Sequence, residues 1–146
     1  MDTASKDAAA QEKPRPEQWI ILPGTTVGGK VGTFYVDFTI WNRDRTQSRT
    51  LNGLVDTGAS YTLVPASILD ELGIERDESE VFTLADGSTQ ELSIGWANME
   101  LEGRTRPVYV IFGASETILL GAMALEAFAL AADAKNHRLI RAQLTL

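Results

Sequence analysis

Cysteine is absent from this sequence, which excludes disulfides, thiolate metal sites and a cysteine nucleophile. Histidine occurs once, at His137. A Ser-His-Asp hydrolase would have to use that residue, and a zinc site would lack a second imidazole. His137 sits in the polar stretch Lys135-Asn136-His137-Arg138, where a solvated turn residue is the simplest reading. No oxygen-rich loop suggests calcium or magnesium, so neither metal nor cofactor is expected. Positive charge is also scarce: 13 Lys plus Arg stand against 20 Asp plus Glu, a net charge of −7. A nucleic-acid partner, which needs clustered positive charge, is therefore not expected. No apolar run approaches the roughly 20 residues that span a bilayer, and the N-terminus lacks the basic-then-apolar layout of a secretory signal. The expectation is a cytoplasmic protein, or a soluble domain whose membrane anchor lies elsewhere.

The 146 residues are 44% hydrophobic, which suits one domain with a core of its own. Residues 1–18 are rich in Ala, Lys, Asp, Glu and Pro and read as a flexible tail or linker, since they cannot bury enough apolar surface to offset the entropy of ordering. The folded domain is expected over 19–146, opening on Trp19-Ile20-Ile21-Leu22. Pro23-Gly24 and Gly28-Gly29 mark turns. Thr33 to Trp41 is aromatic and β-branched and reads as a strand. Asn42 to Ser48 reads as a hairpin loop and Arg49 to Val55 as the returning strand. Pro65 to Gly73 predicts a short helix with proline near its start and glycine at its stop. Strands are expected over Val81–Leu84 and Gln90–Ile94, around the tight-turn dipeptide Asp86-Gly87. A further pair, Trp96–Leu101 and Arg106–Phe112, is joined through Glu102-Gly103-Arg104. Ala122 to Phe128 suggests a second short helix, and Phe128–Ala132 and Leu139–Leu144 two closing strands. The whole is mostly β with one or two short helices.

The stretch that carries chemistry is Leu54-Val55-Asp56-Thr57-Gly58-Ala59-Ser60. An Asp-Thr-Gly triplet alone is common in turns. Here an apolar strand leads into it and an apolar segment, Thr62-Leu63-Val64, leaves it. An acid is thus delivered at the end of a buried strand, where a carboxylate is costly without a task or a partner.

In this setting the sequence resembles the retropepsin family, single-lobed relatives of pepsin that include retroviral proteases and bacterial homologues. The resemblance runs from roughly Gly32 to Leu144. Leu54 to Ser60 looks like the active-site loop, Leu84-Ala85-Asp86-Gly87-Ser88 like the tip of the flap hairpin, and Ile118-Leu119-Leu120-Gly121 like the apolar segment behind the active-site loop. The resemblance implies an all-β, closed acid-protease barrel working as a two-fold homodimer. Asp56 would be the catalytic residue, supported by Thr57, Gly58 and Ala59, while Ala85, Asp86, Gly87 and Ser88 would cover a peptide or protein substrate. Two Asp56 carboxylates, one from each copy, would share a proton and activate a water. The chain carries one such triplet, so a symmetric dimer must supply the second. Family members often place Arg, Asp or Asn just after the apolar-Gly segment, where this chain has Ala122 and Met123. That departure implies a missing polar brace.

Plainer readings stand beside these. Asp56 and Asp86-Gly87 are acceptable as ordinary turn residues, Leu119 and Leu120 read as core, Trp19 and Trp41 as core or interface filling, and the charges of Asp70 to Glu80 as a solvated face. Gly24 to Val31 nearly matches a phosphate-binding loop, but Val31 replaces the magnesium-binding hydroxyl and a strand follows instead of a helix. The competing function is a retropepsin-like dimerisation or peptide-binding module with weak or no proteolysis.

Overall fold

The computed structural model describes residues 26–27 and 33–143. The expected tail, the apolar opening at Trp19, both early glycine turns and Leu144 lie outside the described residues. Among the described residues, ten strands and two helices follow in the order β1 (Thr26–Val27), β2 (Phe34–Trp41), β3 (Ser48–Val55), β4 (Thr62–Pro65), α1 (Ala66–Glu71), β5 (Glu78–Thr83), β6 (Thr89–Leu101), β7 (Arg104–Gly113), β8 (Leu119–Leu120), α2 (Ala122–Ala127), β9 (Leu130–Asp133) and β10 (Arg138–Arg141).

Alternation builds the core. Along β2, Phe34, Val36, Phe38 and Ile40 are buried while Tyr35 and Asp37 face outward, the period of two that one buried sheet face requires. The inward side chains of β2 meet those of β4, β6 and β7 and the buried faces of the helices, Leu69 and Leu125 among them, in one apolar cluster. Each such side chain contributes about 1.5–3 kcal/mol through its burial.

Eight strands form one sheet in the order β1-β2-β3-β8-β4-β7-β6-β5, and β9 and β10 form a separate pair. Strand β2 also bonds β6, through Thr39↔Glu100, Ile40↔Met99 and Trp41↔Asn98. Hydrogen-bonded neighbours therefore run in a ring, β2-β3-β8-β4-β7-β6. The short β8 runs parallel to β3 and antiparallel to β4, so a segment from late in the chain lies between two early strands.

Three expectations are corrected. Residues 90–94 and 96–101 are not separate strands but parts of the 13-residue β6. Gly95, which reads as punctuation, lies within the strand because the chain needs room there: a Cβ at that position would come within 2.3 Å of the Glu75 carbonyl oxygen. Strand β5 begins at Glu78 rather than Val81, since main-chain pairing with β6 places no demand on apolar side chains. His137 is also more than a solvated turn residue, its ring stacking on Phe34 at 6.1 Å between centroids.

Candidate active site

Strand β3 delivers Asp56. Parallel pairing sets Leu54 beside Leu119 and Val55 beside Leu120, and the bonding continues one residue further, where Asp56 N–H donates to the Leu120 carbonyl at 3.0 Å. The chain then turns tightly. Ala59 N–H donates to the Asp56 carbonyl at 3.1 Å, and Gly58 N–H donates to Asp56 Oδ1 at 3.0 Å. The carboxylate is thus held by its own loop at one oxygen, while the side chain is half-buried.

The loop is clamped from behind by the start of α2. Ala122 N–H donates to the Ala59 carbonyl at 2.8 Å and Met123 N–H to the Ser60 carbonyl at 3.0 Å. Gly121 N–H donates to Thr62 Oγ1 at 3.1 Å. Ala122 and Met123 therefore brace the loop with backbone amides, and the absence of a polar side chain there does not leave it unsupported. Close packing makes the glycine necessary, since a Cβ on Gly121 would fall 2.3 Å from the Tyr61 carbonyl oxygen and 2.9 Å from that of Ala59. Thr62 is the only polar residue buried among the described residues. The sequence carries one signal of this role, a hydroxyl within the otherwise apolar Thr62-Leu63-Val64.

In front of the loop lies a cleft of about 490 Å³. Asp56, Gly58, Ala59 and Ser60 line one side, Tyr61, Leu63, Ile111 and Leu119 form apolar walls, and Phe82, Thr83, Leu84, Ala85 and Leu92 reach it from the β5–β6 hairpin. Tyr61 meets Phe82 edge-on, with ring centroids 5.8 Å apart, and so connects the loop to the hairpin. Its other neighbour is Tyr109 on β7, at 6.2 Å. The apolar lining residues escape sequence analysis because alternation tells the two faces of a strand apart but not cleft from core. Leu120 is core, fully buried, whereas Leu119 faces the cleft.

The structure brings Asp56, Gly58, Ala59 and Ala85 to this one cleft. Thr57 is exposed beside it. Asp86, Gly87 and Ser88 form the exposed tip of the hairpin. Leu84 N–H donates to the Ser88 carbonyl at 2.8 Å, and Gly87 has φ +87°, a value glycine adopts without strain. The Ser88 hydroxyl and its N–H both donate to Asp86 Oδ1, at 2.6 and 2.9 Å. These bonds hold the Asp86 carboxyl below its ordinary range.

Residues 45–127, more than half the chain, match the family model described as gag-polyprotein putative aspartyl protease. No curated protein matches the chain. Among solved structures, a retropepsin-like aspartic protease from Rickettsia conorii is similar at 18% identity, over 84% of this chain and 87% of that one, with a TM-score of 0.52. The EIAV protease complexed with the inhibitor HBY-793 is similar at 18% identity, over 77% of this chain and 91% of that one, with a TM-score of 0.51. These two likenesses establish the fold as retropepsin-like, mostly β with few short helices. With the match over residues 45–127, the chain belongs to the retropepsin-like aspartic protease family. Among the described residues, no helix is long and apolar enough to cross a membrane.

Proposed function

We propose that this chain is an aspartic endopeptidase whose active site is completed by a second copy, with Asp56 as the catalytic residue of each. The observation that carries this reading is the placement of Asp56, which is fixed by a clamped loop and opens into a cleft with apolar walls. Such walls suit the side chains of an extended peptide, whose backbone would bond much as an added strand does. The ring of strand pairings supports the closed-barrel reading.

Two Asp56 carboxylates brought together cannot both ionise comfortably, so they hold one proton between them. The ionised member takes a proton from a water lying between them as that water attacks the scissile carbonyl carbon. The protonated member donates its hydrogen bond to the carbonyl oxygen, and the leaving amine then takes a proton as the C–N bond breaks. Neither carboxylate forms a bond to substrate. Thr57, exposed at the loop, would meet its counterpart across the two-fold axis of the dimer. Gly58 lets the backbone come close to the acid. Ala85 to Ser88 form the flap over the substrate, with Ala85 facing the cleft and the other three at the tip.

The test is cleavage of denatured casein from about pH 4 to 7, comparing the native chain with Asp56→Ala and sizing both. Cleavage that is blocked by a statine-type transition-state analogue and lost in the variant, with the dimer retained, is the expected result. A dimer that cleaves nothing at any of these pH values would refute the enzyme reading and favour a peptide-binding module.

A further inference from the structure

The β5–β6 hairpin leaves the body of the molecule at a definite place. Pairing between β6 and β7 begins at Ile94↔Ile111, whereas residues 89–93 of β6 pair only with β5. At that junction the segment before β5 is bound to the body by the buried Ile74, by Arg76, which pairs with Asp70 at 2.6 Å and lies 4.6 Å over the Phe112 ring, and, nearest to β5, by Arg43 from the β2–β3 connection. Its Nη2 donates to Asp77 Oδ2 at 2.7 Å and to the Glu75 carbonyl at 3.3 Å, and its Nε donates to the Trp96 carbonyl at 2.9 Å. Nη1 lies 3.4 Å from Glu75 Oε1. The guanidinium carbon stands 4.6 Å from the centroid of the Trp96 ring, and the side chain is 23% exposed. Asn98 Nδ2 donates to the Arg43 carbonyl at 3.2 Å, and Asp77 N–H donates to the Ile94 carbonyl at 2.8 Å. Gly95 completes the junction, since any Cβ there would collide with the Glu75 carbonyl.

One planar cation thus ties three pieces of chain together: the β2–β3 connection, the approach to β5, and β6 where it enters the body. A guanidinium can do this because its donors are fixed in one plane and its faces remain free to stack. From this arrangement we propose that Arg43 is a positioning residue for the hairpin, and that the junction of Arg43, Asp77, Gly95 and Trp96 is the fulcrum setting how far the hairpin stands over the Asp56 cleft. Arg43 is not among the cleft-lining residues. Its effect on cleavage passes through the hairpin residues Phe82, Leu84 and Ala85, which do line it. This inference rests on the endopeptidase reading for its catalytic consequence, but not for its mechanical one.

The experiment is amide hydrogen exchange on the native chain, Arg43→Met and Asp77→Asn, with steady-state cleavage measured alongside. Methionine keeps much of the stem and removes the donors, whereas asparagine keeps an acceptor and removes one exposed charge. In Arg43→Met, amides of residues 78–83 and 89–93 should exchange about tenfold faster while those of β2 and β3 stay unchanged, as expected for local opening. Asp77→Asn should show the same pattern at smaller amplitude, and it carries the test if Arg43→Met does not fold. Cleavage should show a raised KM with kcat nearly constant, because hairpin closure assists binding and the acid pair is untouched. Unchanged hairpin exchange in both variants, or acceleration spread equally over β2 and β3, overturns the proposal. If the native chain cleaves nothing, the endopeptidase reading fails, and exchange alone still decides the fulcrum.

Discussion

Replacing Gly121 with alanine tests the clamp behind the active-site loop directly. Gly121 has φ −91° and ψ 175°, a conformation open to any residue, so alanine carries no backbone penalty there. All of the cost must come from contact. The added Cβ would lie 2.3 Å from the Tyr61 carbonyl oxygen, 2.5 Å from its carbon and 2.9 Å from the Ala59 oxygen. These are backbone atoms and cannot rotate away. Overpacking of this kind costs about 1–3 kcal/mol. Pushing the loop off also strains the bonds from Gly121, Ala122 and Met123, each worth about 0.5–1.5 kcal/mol. With those bonds weakened rather than broken, the total loss is about 2–4 kcal/mol. Urea unfolding at fixed protein concentration, followed by tryptophan fluorescence, should show the midpoint falling by about 1–2 M. Gly73→Ala provides the control. It has φ +75° with nothing within 4 Å of the new Cβ, so it should cost only the left-handed penalty of about 1–2 kcal/mol. If Gly121→Ala costs less than about 0.5 kcal/mol, the loop gives way freely and the clamp is not the constraint described here.

Thr62→Val removes the acceptor of the Gly121 N–H in a buried place, and should cost about 1–3 kcal/mol in the same unfolding assay; an unchanged midpoint would refute that. Asp133 tests the pH dependence. Burial raises its pKa, the largest single effect, but bonds from Asn136 and Arg138 together outweigh it and hold the carboxyl below its ordinary 3.8. A lowered native pKa adds stability that is full above the ordinary value and lost as pH falls through the native one. The stability gap between native chain and Asp133→Asn should therefore be widest near neutrality and narrow below about pH 4; a gap independent of pH would sink the argument. Tyr61→Ala opens the wall shared with Phe82 and Tyr109. It should weaken discrimination among peptides by size of apolar side chain, by about 10–200-fold for the preferred residue. Identical relative kcat/KM values across a peptide set would show that Tyr61 does not shape the cleft.

Much of the architecture is legible in the sequence because its causes are local. Alternation in Phe34 to Trp41, Pro65 before α1, and Asp86-Gly87 between β5 and β6 each express a rule that acts over a few residues. Gly95 shows the limit. It reads as a break, yet its reason is the Glu75 carbonyl some twenty residues earlier in the chain, a contact that no window around Gly95 contains. The clamp behind Asp56 was hidden for a related reason. The family resemblance points to a polar side chain after Gly121, whereas the structure uses the main-chain N–H groups of Ala122 and Met123, which every non-proline residue possesses and no sequence pattern advertises. The triplet itself was visible. The apolar cleft around it was not, because Leu119 and Leu120 look alike until one faces the cleft and the other the core.

The insertion of β8 between β3 and β4 also has a consequence for biosynthesis. The loop bearing Asp56 is bounded by residues 54–63, but its supports arrive only with Ile118 to Met123. On the ribosome the acid is therefore made long before the clamp behind its loop, and contacts so distant in sequence close slowly because the intervening chain must first be ordered. A nascent chain halted before Gly121 carries the Asp-Thr-Gly triplet without a finished site. Completion of the loop around Asp56 is thereby deferred until the second half of the domain has been made, an ordering in time written into the order of the strands.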